Sequence, residues 1–237
     1  MAYKAVFRRH ELKYILTKEQ KDHILKTIDS YMKLDQYGRT TICNIYFDTE
    51  NYRLIRRSIE KPDYKEKLRV RSYLNQNTEN KVFVEIKKKY EKVVYKRRIA
   101  MREEDALQWL NGKGHSEIDS QIAREIDYFL AYYGNLKPAL FLSYEREAYY
   151  CMDGGDFRIT FDENILCREE EFTFQADIGG IPILEEGKVL MEIKCSSGMP
   201  MWMAEILSRE KIYKTSFSKY GTAYQNIIYP KWKGEQR

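Results

Sequence analysis

Hydrophobic and polar residues alternate along eight segments of the chain. A period of two places successive side chains on opposite faces of an extended backbone, so each segment is predicted to be a β-strand. The predicted strands lie at about residues 5–15, 41–48, 64–74, 81–90, 93–101, 138–150, 156–164 and 188–195. Eight strands of this kind are typical of an antiparallel β-barrel.

Helical periodicity occupies intervals between these strands. Helices are predicted at about residues 17–32, 103–110, 116–134 and 201–208. Thr17 is placed to cap the first helix, Ser116 or Asp119 begins the third, and Gly134 is placed to end it. Apolar residues at helical spacing predict that the third helix packs on the sheet. The pattern indicates an α+β fold, an eight-stranded antiparallel β-barrel with helices packed outside.

Charged residues are concentrated on one face of several predicted strands. The alternation from residue 65 to residue 73 puts Lys65, Lys67, Arg69, Arg71 and Tyr73 on one face, opposite Leu68 and Val70. The strands that contain Glu85, Arg158 and Glu192 show a similar separation of charged and apolar faces.

Two arrangements account for this separation. For any one strand, the commoner arrangement has the apolar face inward and the charged face in solvent. Alternatively, the apolar faces pack against the helices and the charged faces line the barrel interior. Repetition over several strands favours the second arrangement. A cationic interior is tolerable only if carboxylates such as Glu11, Glu85 and Glu192, water and an anionic ligand compensate it.

Composition narrows the class of protein. The chain has 237 residues without a repeat or linker, which fits one domain over residues 1–237. Lys and Arg number 41 against 36 Asp and Glu, so the net charge of +5 is modest and the distribution of charge matters more. The scattered 4 cysteines and 3 histidines predict neither a zinc site, a disulfide framework nor histidine catalysis. Without a signal peptide or an apolar span, a cytoplasmic protein with no membrane segment of its own is expected.

The charge pattern also favours one ligand class over another. Arg presents a planar fork of donors that matches phosphate oxygens, and Lys adds compact charge, so cations at successive levels suit a linear phosphate chain. A nucleic-acid groove would combine basic groups with exposed aromatic platforms. Tyr128, Tyr132 and Tyr133 lie in a predicted helix, where packing is the commoner role. Nucleic acid is therefore not the expected partner and stays the weaker alternative.

Eight short motifs follow one another along the chain. They are Arg9-His-Glu-Leu-Lys-Tyr14, Tyr46-Phe-Asp-Thr49, Leu68-Arg-Val-Arg-Ser-Tyr73, Val84-Glu-Ile-Lys87, Ser143-Tyr-Glu-Arg146, Arg158-Ile-Thr-Phe-Asp162, Met191-Glu-Ile-Lys194 and Phe217-Ser-Lys-Tyr-Gly221. In this order, from about residue 6 to residue 229, the chain resembles the VTC domain. That domain is the polyphosphate polymerase part of the vacuolar transporter chaperone complex and belongs to the triphosphate tunnel metalloenzymes, with adenylate cyclases and tripolyphosphatases.

The resemblance implies an activity and a set of site residues. It implies a tunnel of eight strands that binds ATP and a divalent metal, transfers the terminal phosphoryl group to a growing polyphosphate chain and releases ADP. The implied phosphate-binding residues are Arg9, Lys13, Arg69, Arg71, Lys87, Arg146, Arg158, Lys194 and Lys219. Lys13, Arg146 and Glu192 are the implied catalytic residues. Glu192 matches the metal-binding carboxylate, and Glu11 and Glu85 complete the expected ligands for Mg²⁺ or Mn²⁺.

Two alternatives to the polymerase stay open, a triphosphate or tripolyphosphate hydrolase and a non-catalytic polyphosphate sensor. Hydrolytic and cyclase relatives usually begin with Glu-x-Glu-x-Lys, whereas this chain has Arg9, Glu11 and Lys13, which favours the polymerase. Ser216 lies where eukaryotic polymerases tend to have a basic residue, so weaker binding of the product end of the phosphate chain is expected. The expected partners are ATP and polyphosphate, and any membrane partner would be a separate polypeptide.

Overall fold

Strands and helices cover most of the described part of the chain. The computed structural model describes residues 10–74, 80–91, 93–114, 116, 118–196 and 198–235. The strands are β1 (His10–Thr17), β2 (Met32–Leu34), β3 (Thr40–Asp48), β4 (Tyr64–Tyr73), β5 (Lys81–Tyr90), β6 (Val93–Arg102), β7 (Lys137–Cys151), β8 (Arg158–Arg168), β9 (Ile181–Pro182), β10 (Lys188–Cys195) and β11 (Lys214–Thr215). The helices are α1 (Lys18–Ile28), α2 (Arg53–Ile59), α3 (Glu103–Leu110), α4 (Gln121–Tyr133), α5 (Met201–Arg209), α6 (Lys219–Ala223) and α7 (Tyr229–Glu235), with a π-helical turn at Tyr224–Ile228.

All of these strands belong to one antiparallel sheet. Its order is β11-β1-β10-β8-β7-β3-β4-β5-β6, with β2 paired to β7 and β9 paired to β8 beside that path. An antiparallel sheet with helices confirms the α+β class. Within the described residues, no ladder joins β6 to β1 or β11, so the sheet has 11 strands and is open. The closed eight-stranded barrel was the wrong expectation, because pairing stops at these two ends.

The eight long strands lie where the alternation predicts them. Residues 5–9 of the first predicted strand fall outside the described residues. β8 runs on to Arg168, beyond the predicted end, because a register shift against β7 and a positive φ of 49° at Asn164 break the period of two. β2, β9 and β11 have only two or three residues, too few to produce an alternating pattern.

The predicted helices form, with shifted ends. Thr17 caps α1 through a capping box with Gln20, as predicted, but α1 ends at Ile28 because the chain enters β2 at Met32. α3 has the predicted bounds. Capping by Ser120, which accepts a hydrogen bond from the backbone N–H of residue 123, starts α4 later than predicted. None of the helices in the described residues has the length and hydrophobicity needed to span a bilayer.

The outer face of the sheet packs on helices through two apolar cores. Toward the β6 end of the sheet, Val70 and Val84 pack with Ile126 and Phe129 of α4, and Trp109 of α3 belongs to the same core. Toward the β11 end of the sheet, β1, β8 and β10 bury their apolar side chains against α1 and α5. The apolar faces therefore point outward against helices, as the second arrangement predicts. Burial of these side chains supplies the main stabilising free energy of the fold.

Two tyrosines of α4 do not pack as expected. Tyr128 is 70% exposed and Tyr132 is 56% exposed, whereas Tyr133 is half-buried. Their rings stack on one another, with centroids 6.3 Å apart. The packing role predicted for these helical tyrosines is therefore wrong for Tyr128 and Tyr132.

The C-terminal segment covers part of the opposite, inner face of the sheet. Tyr220 of α6 stacks on Tyr46 of β3, with ring centroids 4.7 Å apart, and Ala223 packs in the same cluster as Leu140 and Leu190. This third core places α6 against the ends of β3, β7 and β10. It explains why α6 was not predicted, since a five-residue helix depends on tertiary packing.

Asp48 connects β3, α2 and α6. Its buried carboxylate accepts hydrogen bonds from the backbone N–H groups of Leu54 and Ile55 at 2.9 and 3.0 Å and from the Tyr220 hydroxyl at 2.9 Å. These bonds satisfy two donors at the start of α2 that have no partner within the helix. The short α2 is thus stabilised by a residue that precedes it in the sequence.

We expect Asp48→Ala to lower the free energy of unfolding by about 3 kcal/mol, because it leaves several buried donors without acceptors. Tyr220→Phe removes one hydroxyl of the same network and should cost only about 1 kcal/mol. Urea denaturation followed by circular dichroism measures both changes. Equal decreases in the free energy of unfolding for the two variants would contradict this account of Asp48.

Candidate functional site

The predicted site residues within the described residues share the inner face. The pairing registers place Lys13 opposite Glu192, Glu11 opposite Lys194, and Arg69 opposite Glu85. The complete set on this face is Glu11, Lys13, Arg69, Arg71, Glu85, Lys87, Arg146, Arg158, Glu192 and Lys194, and Lys219 reaches it from α6. Arg9, predicted to bind phosphate, lies outside the described residues.

The inner face is concave. β1 and β5 are separated by six steps in the sheet order, which would be about 29 Å in a flat sheet. Nevertheless, the Lys87 ammonium of β5 lies 3.2 Å from the Glu11 carboxylate of β1. The sheet must therefore curl until these two strands face each other. Charges from distant strands are brought together across the resulting channel.

Glu192 is the carboxylate on which the most cations converge. Its oxygens lie 3.2 Å from Lys13, 3.6 Å from Lys219, 3.8 Å from Arg146 and 4.0 Å from Lys194. Burial alone would raise the pKa of Glu192, but Lys219, Lys13 and Arg146 outweigh burial and hold that pKa well below its usual range. Glu192 is thus ionised, and the cations around it exceed its single charge.

Asp162 holds two of these cations in place. The Arg146 guanidinium donates two hydrogen bonds to its carboxylate, at 2.5 and 2.6 Å, and the Lys219 ammonium donates a third at 2.5 Å. Asp162 is completely buried, so these bonds compensate for its desolvation. Asp162 was not among the predicted site residues. Its position, four residues after Arg158 on the same strand face, was the available signal.

A second carboxylate, Glu85, organises the cations of β4 and β6. Arg69 lies 2.7 Å from it, Lys96 lies 2.6 Å from it and Arg71 lies 3.8 Å away. Burial would raise the pKa of Glu85, but Arg71, Arg69 and Lys96 lower it overall. Lys96 was missed because Arg97 and Arg98 follow it directly, so the sequence of this strand does not separate a charged face from an apolar one.

Tyr144 lies between the two groups of cations. Its buried hydroxyl accepts a hydrogen bond from Arg71 at 3.3 Å, and the Lys219 ammonium lies 4.5 Å from its ring centroid. Burial raises the pKa of Tyr144, but Arg71, Arg146 and Lys219 together lower it below its ordinary value. Tyr144 is therefore a polar group that connects the cations around Glu85 to those around Glu192.

Lys67 lies between the two groups without a carboxylate partner among the described residues. Its ammonium donates a hydrogen bond to the Ser218 hydroxyl at 3.3 Å. Burial and the neighbouring charges of Lys13, Lys87 and Lys65 lower its pKa to about 7. The inner face therefore holds more positive charge than its carboxylates neutralise. Such a face is suited to a polyanion.

The three carboxylates predicted to bind a metal are not equally placed. Glu11 and Glu192 are diagonal neighbours on paired strands, whereas Glu85 is occupied by Arg69 and Lys96. The described residues contain no cluster of three His, Cys, Asp or Glu side chains that could hold a metal ion. Mg²⁺ is commonly bound by one or two carboxylates together with substrate phosphates and water. Glu192 with Glu11 fits that kind of shared site.

Comparison with known sequences gives a match to a protein family. The family model of the VTC domain matches residues 8–228. No curated protein sequence matches the chain.

Solved structures share the fold at low sequence identity. A candidate adenylate cyclase from Bacillus halodurans superposes with a TM-score of 0.55 at 14% identity, covering 91% of this chain and 96% of the other. The candidate adenylyl cyclase HpAC1 from Hippeastrum is described as having a dominant triphosphatase activity. It superposes with a TM-score of 0.53 at 16% identity, covering 91% of this chain and 94% of the other. A candidate adenylate cyclase from Vibrio parahaemolyticus superposes with a TM-score of 0.51 at 11% identity, covering 91% of this chain and 97% of the other. These likenesses establish the fold.

Lys67 should titrate near neutral pH. Because its pKa is lowered to about 7, its charge should be present at pH 6 and mostly lost at pH 8. A bound polyanion favours the charged form, so saturating inorganic tripolyphosphate should raise this pKa. NMR of labelled lysine side chains, assigned with Lys67→Met, measures both values. A midpoint above pH 9 without added anion would contradict the environment described for Lys67.

Proposed function

The chain belongs to the VTC domain family, and from that premise we propose that it is a polyphosphate polymerase that consumes ATP. The observation that carries the proposal is the convergence on Glu192 of four cations from β1, β7, β10 and α6. Cations around one ionised carboxylate suit a phosphate chain that shares a divalent ion with that carboxylate. We propose that the enzyme works in the cytoplasm, with ATP and polyphosphate as its partners and no role for nucleic acid.

Each proposed role follows from position on the inner face. Lys13 and Arg146 flank Glu192 and would neutralise the phosphates that react. Arg158 and Lys194 are opposite each other on β8 and β10, toward the end of the channel away from α6. The phosphate-binding set is proposed as Lys13, Arg69, Arg71, Lys87, Arg146, Arg158, Lys194 and Lys219, with Arg9 retained from the sequence.

The proposed reaction needs no protein nucleophile. A terminal phosphate oxygen of the growing chain attacks the γ-phosphorus of ATP, a new P–O–P linkage forms, and the bond to the β-phosphate oxygen breaks with its electron pair leaving on ADP. The side chains position both phosphates in line and balance their charge. Glu192 and Glu11 would hold a Mg²⁺ or Mn²⁺ ion, which when bound neutralises phosphate charge. Asp162 keeps Arg146 and Lys219 oriented.

A second candidate is hydrolysis of the same triphosphate. One structural neighbour, HpAC1, is described as having a dominant triphosphatase activity. Water would then replace the chain terminus as the attacking group on the same face. A polyphosphate sensor would use the same cations without turnover.

Incubation with ATP and Mn²⁺ or Mg²⁺ distinguishes these functions. We expect long phosphate chains on a gel together with ADP, because transfer to a chain terminus produces both. Free phosphate without chains would support the hydrolase. No turnover by a protein that binds polyphosphate tightly would support the sensor and overturn the polymerase.

Glu192→Gln should lower turnover by about 100-fold, because it removes the carboxylate that positions the metal. Binding of tripolyphosphate should be unchanged or tighter, since the variant removes a negative charge from a cationic face. Glu50→Gln is the matched control, because Glu50 is exposed and lies away from the inner face, beside Lys137. Calorimetry measures binding and ADP release measures turnover. Full turnover by Glu192→Gln would exclude Glu192 as the metal ligand.

A further inference from the structure

A separate cleft lies on the outer face of the sheet, between α2, α4 and the ends of β4 and β5. We call it the tyrosine cleft. It is lined by Arg57, Tyr64, Glu66, Lys88, Tyr128, Phe129, Tyr132 and Tyr133 and encloses about 260 Å³. Glu66 and Lys88 are opposite each other on the outer faces of β4 and β5. The sheet therefore separates this cleft from the inner face.

Exposed aromatic rings form one wall of the tyrosine cleft. Tyr128 and Tyr132 are largely exposed, and their planes are inclined by only 21°. Tyr133 meets Tyr132 edge to face, with centroids 4.9 Å apart. A planar ligand can stack on such rings, and stacking is favourable for any base.

A buried carboxylate forms the floor. Glu66 is only 8% exposed, and its two oxygens accept hydrogen bonds from the hydroxyls of Tyr64 and Tyr133, each at 2.6 Å. Among the described residues, no cation lies within salt-bridge distance of Glu66. Each carboxylate oxygen can accept more than one hydrogen bond. Glu66 therefore has acceptor capacity for a donor that enters the cleft.

Cations complete the lining. Arg57 and Lys88 line the cleft, and neither forms a salt bridge within the described part of the chain. Arg53 lies beside them, with its guanidinium 5.5 Å from the Tyr133 ring centroid. These three charges exceed that of Glu66, so the cleft favours an anion over a cationic ligand.

We propose that the tyrosine cleft binds a purine nucleotide. The base stacks on Tyr128 and Tyr132, its exocyclic amino group donates a hydrogen bond to Glu66, and the phosphate of the nucleotide binds Arg57 and Lys88. A bare phosphate chain would use the cations but leave the tyrosines and Glu66 without a role. The volume is slightly below the usual range for ligand pockets, so a mononucleotide would extend partly out of the open cleft. This site does not depend on the polymerase proposal, because it uses the other face of the sheet.

Calorimetric titration of the full chain with AMP tests the proposal. Tyr128→Ala/Tyr132→Ala should weaken AMP binding by about tenfold, as loss of base stacking does. Arg57→Ala should also weaken it, by several-fold. Tyr213→Ala and Arg209→Ala are the matched controls, since both residues are exposed and outside the cleft, and they should leave binding unchanged. Arg158→Ala, which alters the inner face, should likewise leave it unchanged.

Three further ligands test the chemistry of each wall. Ribose 5-phosphate lacks the base, adenosine lacks the phosphate, and purine riboside 5′-monophosphate lacks the amino group, so each should bind more weakly than AMP. Equal binding of ribose 5-phosphate and AMP would overturn the proposal in favour of a simple anion site. Binding of AMP that is lost in Arg158→Ala but kept in Tyr128→Ala/Tyr132→Ala would place the nucleotide on the inner face. Absence of AMP binding by the unaltered chain would exclude the site, whatever the result of the polymerase assay.

Discussion

Mutual repulsion among the cations of the inner face is the constraint on which the rest of the structure depends. Cations from the long strands and from α6 face one channel, and desolvation makes their repulsion stronger there than in water. Glu192, Asp162 and Glu85 each hold cations from more than one element, so they neutralise charge and join strands at once. The positive charge that these carboxylates do not neutralise, including the charge of Lys67, is available to bind a ligand.

The outer helices bury the apolar faces of these strands. A strand with a charged inner face must bury its apolar face elsewhere, and α1, α3, α4 and α5 provide that surface. Two of the three apolar cores therefore lie outside the channel, where their packing does not compete with binding. Changes in the charges of the inner face can then leave most of the apolar packing intact.

The alternation of Leu68, Val70 and Val84 with charged neighbours was sufficient to predict the long strands and their faces. It could not show whether the ends of the sheet pair, because ladder closure depends on geometry rather than on the local pattern. α2 and α6 were also beyond prediction, since α2 depends on the Asp48 carboxylate and α6 on packing against Tyr46. The predicted site residues lie together, but Asp162 was missed, because its place on the strand face of Arg158 does not by itself show that it binds Arg146 and Lys219.

Pairing of the first long strand with the last has a consequence for folding. His10 of β1 is opposite Cys195 of β10, so β1 has no neighbour on that side until β10 has been made. Loops of this length close slowly, and sheets with distant pairings fold later than those built from adjacent hairpins. During synthesis, Lys13 leaves the ribosome well before its carboxylate partner Glu192 exists. The nascent chain therefore carries β1, with the Lys13 ammonium unpaired, past ribosomal RNA before the channel can assemble.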